Sequence, residues 1–177
     1  MKSTRFVFGR ALAVLCALLF VSFGFMSCQQ EDETEYVNYS LTGTWVNSYS
    51  GGTSVYKITS STFDNSGTSS YNGTTSTYDS YAGNNLVVSY TNDEETAGYI
   101  YIKYTRAMNP DYSYSETAPD VGKWYAIAFK NLTSSSLSLS GAYKASGKTS
   151  AETLEEAIST FTIANGYFSY YSECVKQ

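Results

Sequence analysis

The chain of 177 residues contains no histidine. That absence removes serine and cysteine nucleophiles worked by a histidine base, histidine-ligated zinc and imidazole acid–base catalysis. Cysteine is nearly as scarce, with only Cys16, Cys28 and Cys174. Proline occurs twice, as Pro110 and Pro119, both within one segment. Basic charge is thin as well. Lys2, Arg5 and Arg10 fall in a segment expected to be removed, so eight of the eleven Lys and Arg remain against all sixteen Asp and Glu, a formal charge of −8. Such a surface lacks the basic footprint that nucleic acid requires, and no nucleic-acid partner is expected. No phosphate-binding loop or dinucleotide fingerprint occurs, and no cofactor is expected.

What is present begins with a leader. Residues 1–10 are cationic and residues 11–25 form an uncharged apolar run of fifteen, the order found in export signals. The run falls short of the roughly 20 apolar residues that span a bilayer. It ends in Phe25-Met26-Ser27-Cys28, which resembles a bacterial lipobox, although Phe25 and Met26 are bulkier than the usual residues. The resemblance implies a lipoprotein signal peptide over 1–27, with Cys28 as the acylated N-terminus of the mature chain. Residues 28–40, acidic over Gln29–Glu35, then read as a solvated tether, and 41–177 as one domain. The membrane is thus an expected partner through the lipid, and the cell envelope the expected location. Gln29 stands where an aspartate retains such proteins at the inner membrane, so the outer membrane is expected, with its face left open. Only Cys174 would remain in the domain, and a lone cysteine makes no internal bridge.

The mature chain carries all 18 Tyr and is dense in Ser and Thr, a composition suited to pleated surfaces and turns. Period-two alternation runs through Leu86, Val88 and Tyr90, through Ile100, Ile102 and Tyr104, through Tyr125, Ile127 and Phe129, and through Leu137 and Leu139. It predicts eight strands near 41–49, 54–60, 85–91, 97–105, 122–130, 135–142, 161–165 and 167–172, the last two joined by an Asn165-Gly166 hairpin. One short helix is predicted near 151–159, opened by Ser150-Ala151-Glu152-Thr153. Segments 64–80 and 106–120 read as loops. The fold class expected is all-β, an eight-stranded antiparallel up-and-down barrel that removes its edges by closing on itself, with a sandwich as the alternative.

Residues Leu41-Thr42-Gly43-Thr44-Trp45-Val46-Asn47 resemble the first strand of the calycins, which include lipocalins and avidins. Lipocalins carry Gly-x-Trp there, matched by Gly43 and Trp45, and the resemblance implies a tryptophan closing the barrel base. Avidins resemble the stretch further, and residues 124–143 echo two of their strands. Asn47 matches the asparagine that contacts biotin, but Phe129 and Leu139 stand where avidins place tryptophans, so the resemblance implies no working biotin site. The whole pattern looks most like lipocalin-like lipoproteins of the spirochaete type.

If Trp45 points inward, the lysine-free parity of the other strands does too. Asn47, Tyr90, Tyr104 and Tyr125 are then the polar handles of any internal cavity, which would take a small apolar or amphipathic ligand. The opposite parity places Tyr99, Tyr101 and Trp124 outside, either as an interaction surface or under the helix. Two functions follow: a lipid-anchored binding protein, or a surface-exposed interaction or antigen lipoprotein working through loops 64–80 and 106–120 and the outer stripe. Catalysis is not expected. Asp93-Glu94-Glu95 reads as a charged hairpin tip, and Asp111, Glu116 and Asp120 match no metal-loop spacing.

Overall fold

The computed structural model describes residues 39–177; the segments expected to be a leader and a tether, with Cys28 between them, lie outside the described residues up to residue 38. The alternating segments form the strands. In chain order these are β1 (Gly43–Tyr49), β2 (Gly52–Ile58), β3 (Phe63–Tyr71), β4 (Thr74–Tyr90), β5 (Gly98–Met108), a two-residue β6 (Tyr114–Ser115), β7 (Trp124–Lys130) and β8 (Ser136–Gly141); then come helix α1 (Leu154–Thr160) and strand β9 (Ser172–Lys176). Each strand pairs antiparallel with the next from β1 through β5, then β5 with β7, β7 with β8 and β8 with β9. Strand β9 returns to β1, and β6 stands outside this ring on the end of β5. The result is the expected closed, eight-stranded antiparallel barrel with one short helix, an architecture that fits the calycin type.

Three segments depart from the expectation, the least of them 106–120, a predicted loop whose first three residues belong to β5 and whose Tyr114–Ser115 form β6. Residues 64–80 are not a loop. Strand β3 and the first half of β4 form a long ribbon that turns at Asn72-Gly73, with φ of 48° and 79°, the left-handed pair that a tight hairpin needs. Beyond Phe63 at its start, apolar burial adds little to this ribbon. The backbone ladders with β2 and between β3 and β4 hold it, helped by hydroxyl pairs, Thr53 Oγ1 of β2 lying 2.9 Å from Thr68 Oγ1 and Ser70 Oγ 2.8 Å from Thr75 Oγ1.

Asn165-Gly166, in turn, makes no strand hairpin. The Asn165 side-chain amide donates to the carbonyls of Ser159 (3.0 Å) and Thr160 (2.9 Å), two groups at the end of α1 that lack helical partners. The dipeptide therefore closes a helix, and the last strand begins at Ser172. The helix starts after Thr153, whose Oγ1 accepts from the Glu156 amide at 3.1 Å while the Glu156 carboxylate accepts from the Glu152 amide at 2.8 Å, a reciprocal cap.

Residues opposite one another on a ladder share a face. Trp45, Tyr56 and Asn65 therefore turn the same way, as do Ile102 and Tyr125, and Phe129 and Leu139. All of them are buried, with Ile58, Phe63, Ile100, Ile127 and Leu137 beside them, while Lys57 and Lys130 are exposed on the other parity. Cys174 is buried in this core and burial pushes its thiol up to about 12. The base is closed by Trp45, whose indole N–H donates to the Leu41 carbonyl at 2.8 Å. The Lys176 ammonium lies 4.9 Å from the indole centre and adds a cation–π contact. Replacing Trp45 with Ala is expected to cost about 3–5 kcal/mol, read from urea unfolding, whereas Tyr170→Ala, at an 82% exposed site, should stay within about 0.5 kcal/mol. Equal losses would show that the base does not depend on this plug.

Candidate functional site

Three tyrosines from three strands meet at the end of the barrel opposite Trp45. Tyr104 of β5 and Tyr125 of β7 stack with ring centres 4.8 Å apart. Tyr81 of β4 meets Tyr125 edge-on at 5.3 Å and stacks on Phe63 at 5.6 Å. Phe63 in turn touches Tyr56, so one run of rings descends from the mouth into the core. The layer depends on Gly141, where a Cβ would lie 2.6 Å from the Tyr125 hydroxyl and 3.3 Å from that of Tyr81. The Tyr125 hydroxyl donates to the Ala142 carbonyl at 3.1 Å, so the ring is held at both ends.

Above this layer lies a cavity of about 640 Å³, within the size range of small-molecule sites. Its walls are apolar, from Ala107, Met108, Pro110 and Pro119, and its rim carries Tyr112, Tyr114, Tyr143, Lys144 and Lys148. Tyr112, Tyr114 and Tyr143 of the rim are exposed, as is Met108 of the wall. The two rim segments are tied together by Asp120, which accepts from Thr149 Oγ1 at 2.7 Å and Ser150 Oγ at 2.8 Å. Lys123 bridges Asp120 (3.6 Å) and Glu152 (3.2 Å). A second, shallower concavity of about 570 Å³ lies over the β4 bulge between Asn84–Asn85 and Val121–Gly122.

Burial pushes the Tyr81, Tyr104 and Tyr125 phenols well above their ordinary value near 10, with neighbouring tyrosines adding to the shift. The floor therefore stays uncharged at any physiological pH. It offers ring faces and hydroxyls rather than charge.

Of the four residues predicted to line an internal cavity, the structure brings Tyr104 and Tyr125 together at its floor. The other two lie elsewhere. Tyr90 sits at the opposite end of the wall, edge-on to Phe129 at 5.8 Å and 39% exposed, because β4 runs on past the mouth to the base. Asn47 uses its amide to donate to the Glu173 carbonyl at 2.8 Å, bracing β1 against β9. Sequence reading missed Tyr81 because it fell between the loop predicted over 64–80 and the strand predicted near 85–91; in the structure it lies at the point where the register of β4 shifts against β3.

The outer stripe is not an open surface. Tyr101 is only 2% exposed, and α1 packs across β7 and β5. Tyr99 lies against Phe168 at 5.6 Å and its hydroxyl accepts from the Ile163 amide at 3.3 Å. Trp124 is half-buried and pairs through its backbone with Ala151, both bonds at 2.8 Å. The signal for this cover was Ala126 and Ala128, small residues on the outward parity of β7 that let Ala157 of α1 approach; all three are fully or almost fully buried.

No protein-family model, no curated protein and no solved structure matches the chain.

The folded state holds the floor protons more tightly than the unfolded chain does, so stability is retained below about pH 10 and falls as pH rises through the folded values. An ultraviolet tyrosinate titration should show a group of tyrosines that ionise only as the protein unfolds. Replacing Tyr104 and Tyr125 together with Phe should shrink that late group and soften the alkaline loss of stability. A single smooth titration near 10 in the wild type would contradict the buried floor.

Proposed function

We propose that this protein is a lipid-anchored binding protein of the bacterial cell envelope, not an enzyme, and that it takes a small apolar or amphipathic molecule in the barrel mouth. The observation that carries the reading is the cavity of about 640 Å³ floored by Tyr81, Tyr104 and Tyr125. An eight-stranded barrel is just wide enough to be packed solid or to hold one small ligand. This one does each at a different level. Below the tyrosine layer, side chains fill it; above, apolar walls and a few polar groups converge on a space, which is the usual make-up of a small-molecule site.

The anchor rests on the leader and the Ser27-Cys28 junction, and the outer membrane on Gln29. The reading as a binder is supported by the carboxylates as well. Glu156 is engaged by Lys148 and Glu152 by Lys123, while Asp120 serves as a strut between rim segments. The alternative, an interaction or antigen lipoprotein, keeps the exposed ribbon around Tyr71 but has lost Tyr101 from its outer stripe.

Native mass spectrometry of the protein taken from its source envelope without refolding should show a reproducible extra mass of a few hundred daltons that leaves on unfolding. A bare mass, combined with no uptake of added small molecules, would favour the interaction role. Labelled palmitate should enter the wild type and not Cys28→Ser. Label persisting in that variant would remove the lipid anchor from the proposal.

A further inference from the structure

The cavity is a bowl and not a tunnel. An extended acyl chain needs a channel running down the barrel, and none is open here. Beneath Tyr81, Tyr104 and Tyr125 the interior is occupied by Phe63, Tyr56, Ile100 and Ile102, down to Trp45 at the base. What the bowl presents to an occupant is aromatic: the floor rings, then Tyr112, Tyr114 and Tyr143 at the rim. Aromatic surfaces favour offset stacking and edge contacts with other rings. The shape therefore suits a compact ring system.

The charges around the bowl select further. Three charged residues line it, Asp120, Lys144 and Lys148. Asp120 is already satisfied by Thr149, Ser150 and Lys123. Lys148 is paired with Glu156. Lys144 is different: its ammonium donates to the Asn165 carbonyl at 3.0 Å and lies 5.8 Å from the Tyr167 ring centre, and no described carboxylate is within salt-bridge reach of it. Lys57, Lys103, Lys130 and Lys176 likewise make no ion pair among the described residues, but of these unpaired cations Lys144 alone lines the bowl, where an anion on a ligand would pair with it.

Resting on the cavity assignment of the preceding section, we infer that the site takes a compact, ring-bearing molecule with one anionic group, the rings lying on the tyrosine floor and the anion at Lys144. The geometry disfavours long-chain fatty acids, which carry the same charge on the wrong shape.

Two fluorescent probes with one ring framework separate these elements: anilinonaphthalene sulfonate, which is anionic, and N-phenylnaphthylamine, which is neutral. Both are titrated into the folded full-length protein. Both should bind and compete with each other, the sulfonate more tightly. Lys144→Gln should weaken the sulfonate about three- to tenfold and leave the neutral probe within about twofold. Added salt should weaken only the sulfonate. Palmitate should displace neither probe at concentrations comparable with the sulfonate's dissociation constant.

Equal affinities for the two probes, unmoved by Lys144→Gln, would overturn the anionic half of the inference while leaving the cavity in place. Strong displacement by palmitate would overturn the ring half. Binding of neither probe would instead sink the cavity assignment itself. Lys144 is exposed, so its replacement should not disturb folding, and unchanged circular dichroism and thermal unfolding would confirm that.

Discussion

Strands β4 and β5 do not fit edge to edge without adjustment, and the barrel closes because the chain makes that adjustment. Their pairing shifts register between Ala82 and Gly83 and again between Asn84 and Val87, with Asn85 in the left-handed region at φ 53°. Bulges of this kind bend and twist a strand, and a sheet that closes into a barrel needs both. Gly83 permits the closest approach, since a Cβ there would lie 2.7 Å from the Lys103 carbonyl and 2.8 Å from Ile102. Arg106 braces the same seam from β5, reaching the Ser80 carbonyl, the Asp64 carboxylate at 3.0 Å and the Asn65 carbonyl at 3.3 Å. The bulged β4 also delivers Tyr81 to the mouth, so the device that closes the wall supplies part of the floor.

Filling a barrel with tyrosine raises a second problem, because each ring brings a hydroxyl that must be satisfied. The protein solves it locally. Tyr56 donates to Ser172 at 3.0 Å and Tyr125 to the Ala142 carbonyl. Among the described residues no buried side-chain nitrogen or oxygen lacks a partner. Serine and threonine, abundant along the strands, act as the complement of the tyrosines. They take hydroxyls inside and pair with each other along the exposed ribbon.

The parts legible in the sequence are those governed by a period. Alternation placed Ile100, Ile102, Tyr104, Tyr125, Ile127 and Phe129 on one buried face, and Gly43 with Trp45 marked the closed base. The parts that were not legible are those where a period breaks or where the signal is chemical. The ribbon at 64–80 has almost no apolar residues to alternate, and it reads as a loop although its two strands turn at Asn72-Gly73. Asn165-Gly166 has the same letters and does a different job, because a helix end lay within reach of the asparagine amide. Of the site, Tyr104 and Tyr125 followed from parity, and Tyr81 was missed because the polar first half of β4 (Thr74–Tyr90) gave no strand signal there. The rim could not be read at all, since Met108, Tyr114 and Lys144 are brought together by connections far apart in sequence.

The tyrosine layer is at once the roof of the core and the floor of the cavity. Stacking on Phe63 couples it downward, and the open face couples it upward, so no substitution in it touches only one of the two. The shape of the cavity floor is thus constrained by fold stability, and change there is held back by whatever the barrel can tolerate. The rim carries no such burden. Tyr112 and Tyr143 are largely exposed and free to vary without unsettling the wall. A family of proteins descended from this one would be expected to keep its floor and diversify its lip, so that the mouth changes shape while the surface beneath it stays the same.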